Sequence, residues 1–206
     1  MKAHQKRQFL PILIVLQLLM AMPFAVKVFG QSQLQQFDDN IMLDLAAHRT
    51  PEQTRVMLFM THTIKYGDYG VPAALFIGGI IRNDRQMRQN ALYVGSSTAI
   101  TMGVTLLLKQ LIKRRRPFVQ NLKIVAVYTA GSTSFPSGHA SSSFATATAL
   151  SSAYPKWYVI APAILWAGSV SYSRMYLGVH YPTDVAAGAI LGSGTALLLQ
   201  PLKRLN

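Results

Sequence analysis

The sequence contains no cysteine. Disulfides, thiolate zinc sites, iron–sulfur clusters and a cysteine nucleophile are therefore excluded, and no redox compartment can be inferred. Acids are scarce too: 7 Asp and Glu stand against 20 Lys and Arg in 206 residues, a formal net charge of +13. They are Asp38, Asp39, Asp44, Glu52, Asp68, Asp84 and Asp184, so a single carboxylate lies beyond residue 84. Charged residues of both signs make up only 13% of the chain and hydrophobic ones 50%, an apolar balance for a water-soluble protein of this size. No internal repeat, low-complexity tract or second domain is evident, so residues 1–206 read as one domain.

In place of charge the chain has long apolar runs, at about 9–28, 60–81, 91–112, 138–153, 157–173 and 183–200. Short charged or proline-bearing connections separate them. A lipid bilayer is the solvent that suits this pattern, and helices satisfy their own backbone groups there, so the expected fold is all-α, an integral-membrane bundle of about six transmembrane helices. Nucleic acid is the less suitable partner for the basic surface, since apolar runs accompany it. The first run follows Lys2, Lys6 and Arg7 and serves equally as a retained span or as a signal peptide cleaved after Val28-Phe29-Gly30. Lys65 and Asp68 fall inside the second run, and the fourth is rich in Ser and Thr, so both are expected to be interior elements. Between the first two runs, Phe37, Ile41 and Leu45 recur at helical spacing opposite Asp38, Asp39 and Asp44. That segment fits either an interfacial amphipathic helix or a solvated helix packed on the bundle. Gly188 and Gly192, four apart, permit close helix contact.

Three polar clusters stand at the ends of spans, all on the same side of the expected topology. Polar residues in such places need a partner or a task. Lys109-Gln-Leu-Ile-Lys-Arg-Arg-Arg116-Pro117 closes the third run. Lys109 and Arg116, two helical turns apart, can point the same way and hold a phosphate dianion from two sides; a basic signal attracted to anionic head groups would look the same. Phe135-Pro136-Ser137-Gly138-His139 precedes a small-residue helix. Its unpaired N–H groups form an anion site, or merely an ordinary cap with an incidental histidine. Ser173-Arg174 is followed after five residues by His180 and, four later, by Asp184. A carboxylate so placed can fix the tautomer of His180 and leave its other nitrogen free to attack or exchange a proton, or can simply pin a helix terminus. A zinc site from His139, His180 and Asp184 is disfavoured by the surrounding cations Lys109, Arg116 and Arg174. No metal or cofactor is expected, and two-metal hydrolysis lacks the carboxylates it needs.

These three clusters, in this order and at these spacings, resemble the signature of the type 2 phosphatidic acid phosphatase superfamily, in its membrane-bound bacterial branch. The resemblance runs from about Lys109 to Asp184, with no departure at the signature positions. It implies a metal-independent hydrolase in which His180 attacks phosphorus to form a phosphohistidine and Asp184 holds its ring. His139 would protonate the leaving oxygen and then activate water. Lys109, Arg116 and Arg174, the Ser137 hydroxyl and the Gly138 N–H would bind the phosphate. The implied setting is a bacterial cytoplasmic (inner) membrane with the site facing the periplasm. Setting aside the bases at 109–123 and Arg174 as substrate-binding gives the same orientation, but that step presumes the function. The implied substrate is a lipid-linked phosphate or diphosphate: phosphatidic acid, phosphatidylglycerophosphate, undecaprenyl diphosphate or lipid A phosphate. Nothing in the sequence selects among them or fixes the oligomeric state. Two other readings use the same pocket, a vanadate-dependent haloperoxidase-like enzyme and a non-enzymatic lipid head-group binding protein. His4, His48 and His62 belong to no motif and read as structural or solvent-facing, while Lys113, Arg114, Arg115 and Lys123 read as head-group or substrate-steering charges.

Overall fold

The computed structural model describes residues 31–201 other than 129 and 132. Helix α1 spans Gln31–Ala47 and α2 spans Pro51–His62. A π-helical turn, Tyr66–Gly70, leads into α3, Val71–Ile81. The long α4 covers Arg85–Ile112, and the short α5, Pro117–Gln120, follows it. The chain ends in α6, Gly138–Ala153, α7, Trp157–Tyr176, and α8, Pro182–Leu199. Among the described residues there is no strand.

Helices stand at five of the six expected positions among the described residues; the run at 9–28 lies outside them. The second is not one regular helix. Its backbone stays helical from Pro51 to Ile81 but widens at Tyr66–Gly70, where Asp68 is carried inward and buried. Thr146 of α6 donates to Asp68 at 2.9 Å and its oxygen lies 2.8 Å from that of Thr98 of α4, so the carboxylate's place inside the bundle is settled by hydroxyls.

Helix starts follow capping chemistry. Thr50 accepts the Gln53 N–H at 3.2 Å with Pro51 opening α2, and Asp84 accepts the Met87 N–H at 2.9 Å to open α4. α4 stops where Lys113 turns left-handed at φ 49°. Arg116 therefore does not continue the face of Lys109 by two helical turns, as its spacing suggests; it leaves from an extended segment beyond the helix.

α6 is the axle of the bundle. Its Ala, Ser and Thr side chains are buried along nearly its whole length, with α4, α7 and α8 packed around it. The closest approach is to α8, where a Cβ on Gly192 would lie 2.0 Å from the Ser141 carbonyl oxygen and one on Gly188 2.7 Å from that of Ser137. Backbone contact of this kind requires the small residues that the sequence places there. Outward, Ile77, Ile81, Leu106, Leu107, Leu111 and Ile190 are exposed, the arrangement of a lipid-facing surface.

α1 buries neither of its two sequence faces as a whole: Ile41 and Leu45 are half-buried and Asp44 is exposed. Asp38 and Met42 are fully buried while Phe37 is 53% exposed. Met42 packs on Ile124 and Tyr181. The helix is packed on the bundle through a carboxylate, with its aromatic residue turned away.

Candidate active site

The site lies where α4, α6, α7 and α8 reach the same end of the bundle as the 113–137 and 177–181 connections. Each signature residue is delivered there by a local device. Lys109 sits in the last turn of α4, and its Nζ donates to the Thr133 carbonyl at 2.6 Å. Arg116 donates to the carbonyls of Gly131 at 2.7 Å and Val179 at 2.7 Å, tying both connections together. Ser137 caps α6; the Ala140 N–H points at its oxygen at 3.4 Å and its own N–H donates to the Asp184 carbonyl at 3.0 Å. Ser137 is fully buried, whereas Gly138 and His139, in the first turn of α6, stay partly accessible. His139 lies close enough to Arg174, His180 and Arg116 for their charges to act on it.

His180 is held on both nitrogens. Nε2 is 3.2 Å from Arg116 Nη1. A guanidinium can only donate, so Nε2 is the unprotonated nitrogen and the proton belongs on Nδ1. Nδ1 faces Ser134 Oγ at 3.4 Å and Asp184 Oδ2 at 3.7 Å. The carboxylate thus stands beyond hydrogen-bond length of the ring, with the Ser134 hydroxyl donating to it at 2.5 Å. Asp184 Oδ2 also accepts the Tyr181 N–H at 2.9 Å, closing the first turn of α8. Burial, reinforced by Arg116 and Arg174 and opposed by Asp184, lowers the pKa of His180 from 6.5 to about 4. At neutral pH the imidazole is therefore uncharged, with a lone pair on Nε2.

Arg174 is buried near the C-terminal end of α7. It donates to Thr61 of α2 and faces the Tyr128 ring at 5.4 Å, while its Nε is buried with no hydrogen-bond partner among the described residues. Arg116, Arg174 and Lys109 therefore bring three cations to one pocket, and one of them retains an unspent donor, the electrostatics of an oxyanion site.

The family model described as the PAP2 superfamily matches residues 90–204. The chain belongs to the PAP2 superfamily. The match begins in α4 and takes in every signature residue named above. Two relatives carry similar sequences. A lipid A 4'-phosphatase of Bacteroides thetaiotaomicron is 42% identical over 76 residues, 37% of this chain and 34% of that one. A decaprenylphosphoryl-5-phosphoribose phosphatase of Mycobacterium tuberculosis is 36% identical over 108 residues, 52% of this chain and 57% of that one. The chain thus spans between about a third and somewhat over half of the length of these relatives. Among solved structures, a transmembrane PAP2-type phosphatidylglycerolphosphate phosphatase from Bacillus subtilis superposes with a TM-score of 0.69 at 25% identity, covering 95% of this chain and 96% of that one. The all-α membrane architecture is common to both.

This PAP2 chain adds contacts that its sequence did not advertise. Arg114, expected to steer head groups, is instead half-buried and turned inward: it donates to Asp184 Oδ1 at 2.7 Å and to Asp38 Oδ2 at 2.7 Å. Burial works against its charge, yet the two carboxylates outweigh burial and raise its pKa. Ser134 carried no signal beyond lying three residues before the Ser137 cap. His62, read as structural or solvent-facing, is exposed but lies near enough to His139 for its charge to be felt.

Proposed function

We propose that this protein hydrolyses a lipid-linked phosphate or diphosphate by nucleophilic catalysis at His180, without a metal ion. The observation that carries the reading is the setting of His180: a buried imidazole whose Nε2 faces Arg116 while its Nδ1 faces Ser134 and Asp184, an arrangement that calls for the Nδ1–H tautomer. Membership of the PAP2 superfamily and relatives named as lipid phosphatases support the substrate class.

In the first step Nε2 attacks phosphorus and the bond to the lipid oxygen breaks. His139, protonated only together with the incoming phosphate anion, gives that oxygen its proton. As the phosphoryl group joins His180 the ring becomes cationic, and Asp184 stabilises the charge. In the second step His139, now neutral, takes a proton from water as the water oxygen attacks phosphorus; the P–N bond breaks and orthophosphate leaves. Lys109, Arg116, Arg174 and the Gly138 N–H bind the three equatorial oxygens, with the Ser137 hydroxyl in support. Each preorganised donor of this kind contributes about 3 kcal/mol in the transition state.

Lipid-facing apolar residues flank the site, and a substrate embedded in the bilayer by its tail would bring its phosphate to that level. With the bases at 109–123 and Arg174 assigned to substrate, the remaining basic bias supports a site on the outer face of the cytoplasmic membrane. A panel of phosphatidic acid, phosphatidylglycerophosphate, undecaprenyl diphosphate and lipid A phosphate, assayed in detergent with chelator, tests the proposal. Metal-independent phosphate release that is abolished by His180→Ala is expected. Full activity of His180→Ala would refute it. Peroxide-dependent halide oxidation with vanadate and no phosphatase activity would assign the haloperoxidase reading, and binding without turnover the head-group binding one.

A further inference from the structure

An ion-pair network extends outward from Asp184, and beyond Asp184 itself no step above uses it. Arg114 lies at its centre. Its Nη1 donates to Asp184 Oδ1 and to Thr183 Oγ1, each at 2.7 Å; its Nη2 donates to Asp38 Oδ2 at 2.7 Å and to Gln35 Oε1 at 2.9 Å. The guanidinium lies 4.1 Å from the centre of the Tyr181 ring, the residue next to His180. Asp38 in turn accepts from Thr183, from its N–H at 3.1 Å and from its hydroxyl at 2.5 Å. Both carboxylates have fully buried side chains. One cation is thus shared between two buried anions, and only one of those anions faces His180.

We propose that Arg114 is a positioning residue for the reaction and that Asp38 is its counter-charge: the pair fixes the carboxylate of Asp184 and meters how strongly it acts on His180. This rests on His180 being the nucleophile. The physical reasoning is electrostatic. A bidentate-capable guanidinium on Asp184 Oδ1 locks the carboxylate so that Oδ2 is directed at Ser134 and the ring. The same positive charge weakens the pull of Asp184 on the imidazolium, and Asp38 restores part of that pull by drawing on the charge of Arg114. The other groups bearing on His180 are Arg116, Arg174 of α7 and His139 of α6. Those bearing on Asp184 besides Arg114 and His180 are Lys109 of α4, Arg116 and Tyr181. Of these, only Tyr181, under the Arg114 guanidinium, is touched by either replacement, and it carries no charge at neutral pH, so the two substitutions should act in opposite directions.

The imidazole of His180 can be titrated by nitrogen NMR of histidine-labelled protein in detergent micelles, its resonances assigned by their loss in His180→Ala. Arg114→Met should move its titration to higher pH and Asp38→Asn to lower pH, each by about half a unit or more. Arg114→Lys, which keeps the charge but loses the fork, should leave the titration nearly in place while lowering kcat on the order of tenfold. Shifts of the same sign in both variants, or none in either, would overturn the proposal. Should Arg114→Met fail to fold, Asp38→Asn alone decides: a downward shift supports the pair, and no shift or an upward one refutes it. Because the titration needs no turnover, it stands apart from the function itself, which full activity of His180→Ala would refute whatever the titration shows.

Discussion

At the scale of single residues, the chemistry turns on who donates to whom around His180. Arg116 donates to its Nε2 and to the Val179 carbonyl beside it. Arg116→Lys keeps a charge but loses the planar fork that holds His180 and the Val179 carbonyl with Nη1 while Nη2 holds the Gly131 carbonyl, so kcat is expected to fall by about a hundredfold or more with protein still folded. Steady-state kinetics on the best lipid of the panel measures this. Because burial holds the pKa of His180 at about 4, below the ordinary 6.5, the nucleophile stays unprotonated as pH falls through the usual histidine range. The sign follows: protonation removes the lone pair, so the loss of kcat/KM assigned to His180 should come below pH 6, nearer 4. A pH profile corrected for the titration of the substrate phosphate checks this. A limb at 6.5 that vanishes with no other group would contradict it. His180, Asp184, His139 and the three cations were legible in the sequence because each is a polar residue beside an apolar run. Ser134 and Arg114 were not. A serine in a loop is common, and five cations in eight residues look alike until helix α4 ends at Lys113 and sends each in its own direction.

At the scale of elements, α6 and α8 meet backbone to backbone, and the spacing of Gly188 and Gly192 announced it. Gly192→Val places side-chain atoms against the Ser141 carbonyl, 2.0 Å from the Cβ position. Separation of the two helices would move Ser137 away from the Asp184 carbonyl, which it meets at 3.0 Å. A destabilisation of about 3 kcal/mol or more is expected, read as a lower thermal midpoint in detergent together with loss of activity. The π turn is a second such element. Asp68→Leu would leave the Thr146 hydroxyl without its acceptor at a cost of about 1–3 kcal/mol, whereas Asp68→Asn retains an oxygen and should cost less. The sequence showed Asp68 as an interior residue but not the widened turn, since π geometry has no pattern of its own. For α1 the helical spacing was right, while the packing splits both faces: Ile41 and Leu45 are half-buried and Asp44 exposed, but Asp38 is buried and Phe37 exposed. Periodicity reveals that a helix has two faces, but not that one carboxylate of the polar face has a cation waiting inside, as Asp38 has in Arg114. Asp38 is buried for this reason and Phe37 is not.

At the scale of the whole molecule, the three signature clusters come from separate helices and meet only because the bundle brings those helices' ends together. The absence of cysteine makes sidedness directly measurable. Leu122 lies in the exposed connection on the side of the site, and Asn83 lies in the exposed turn between α3 and α4, at the far side of α4. Leu122→Cys should react with a membrane-impermeant maleimide in intact cells, and Asn83→Cys only after lysis; the reverse pattern would place the site in the cytoplasm. The central claim, that His180 carries the phosphoryl group, is tested most directly by rapid quench with radiolabelled lipid phosphate. A base-stable, acid-labile label on His180 is predicted, accumulating in His139→Ala, where the water is no longer activated. Turnover at the wild-type rate with no labelled histidine, or a label found on His139, would contradict it.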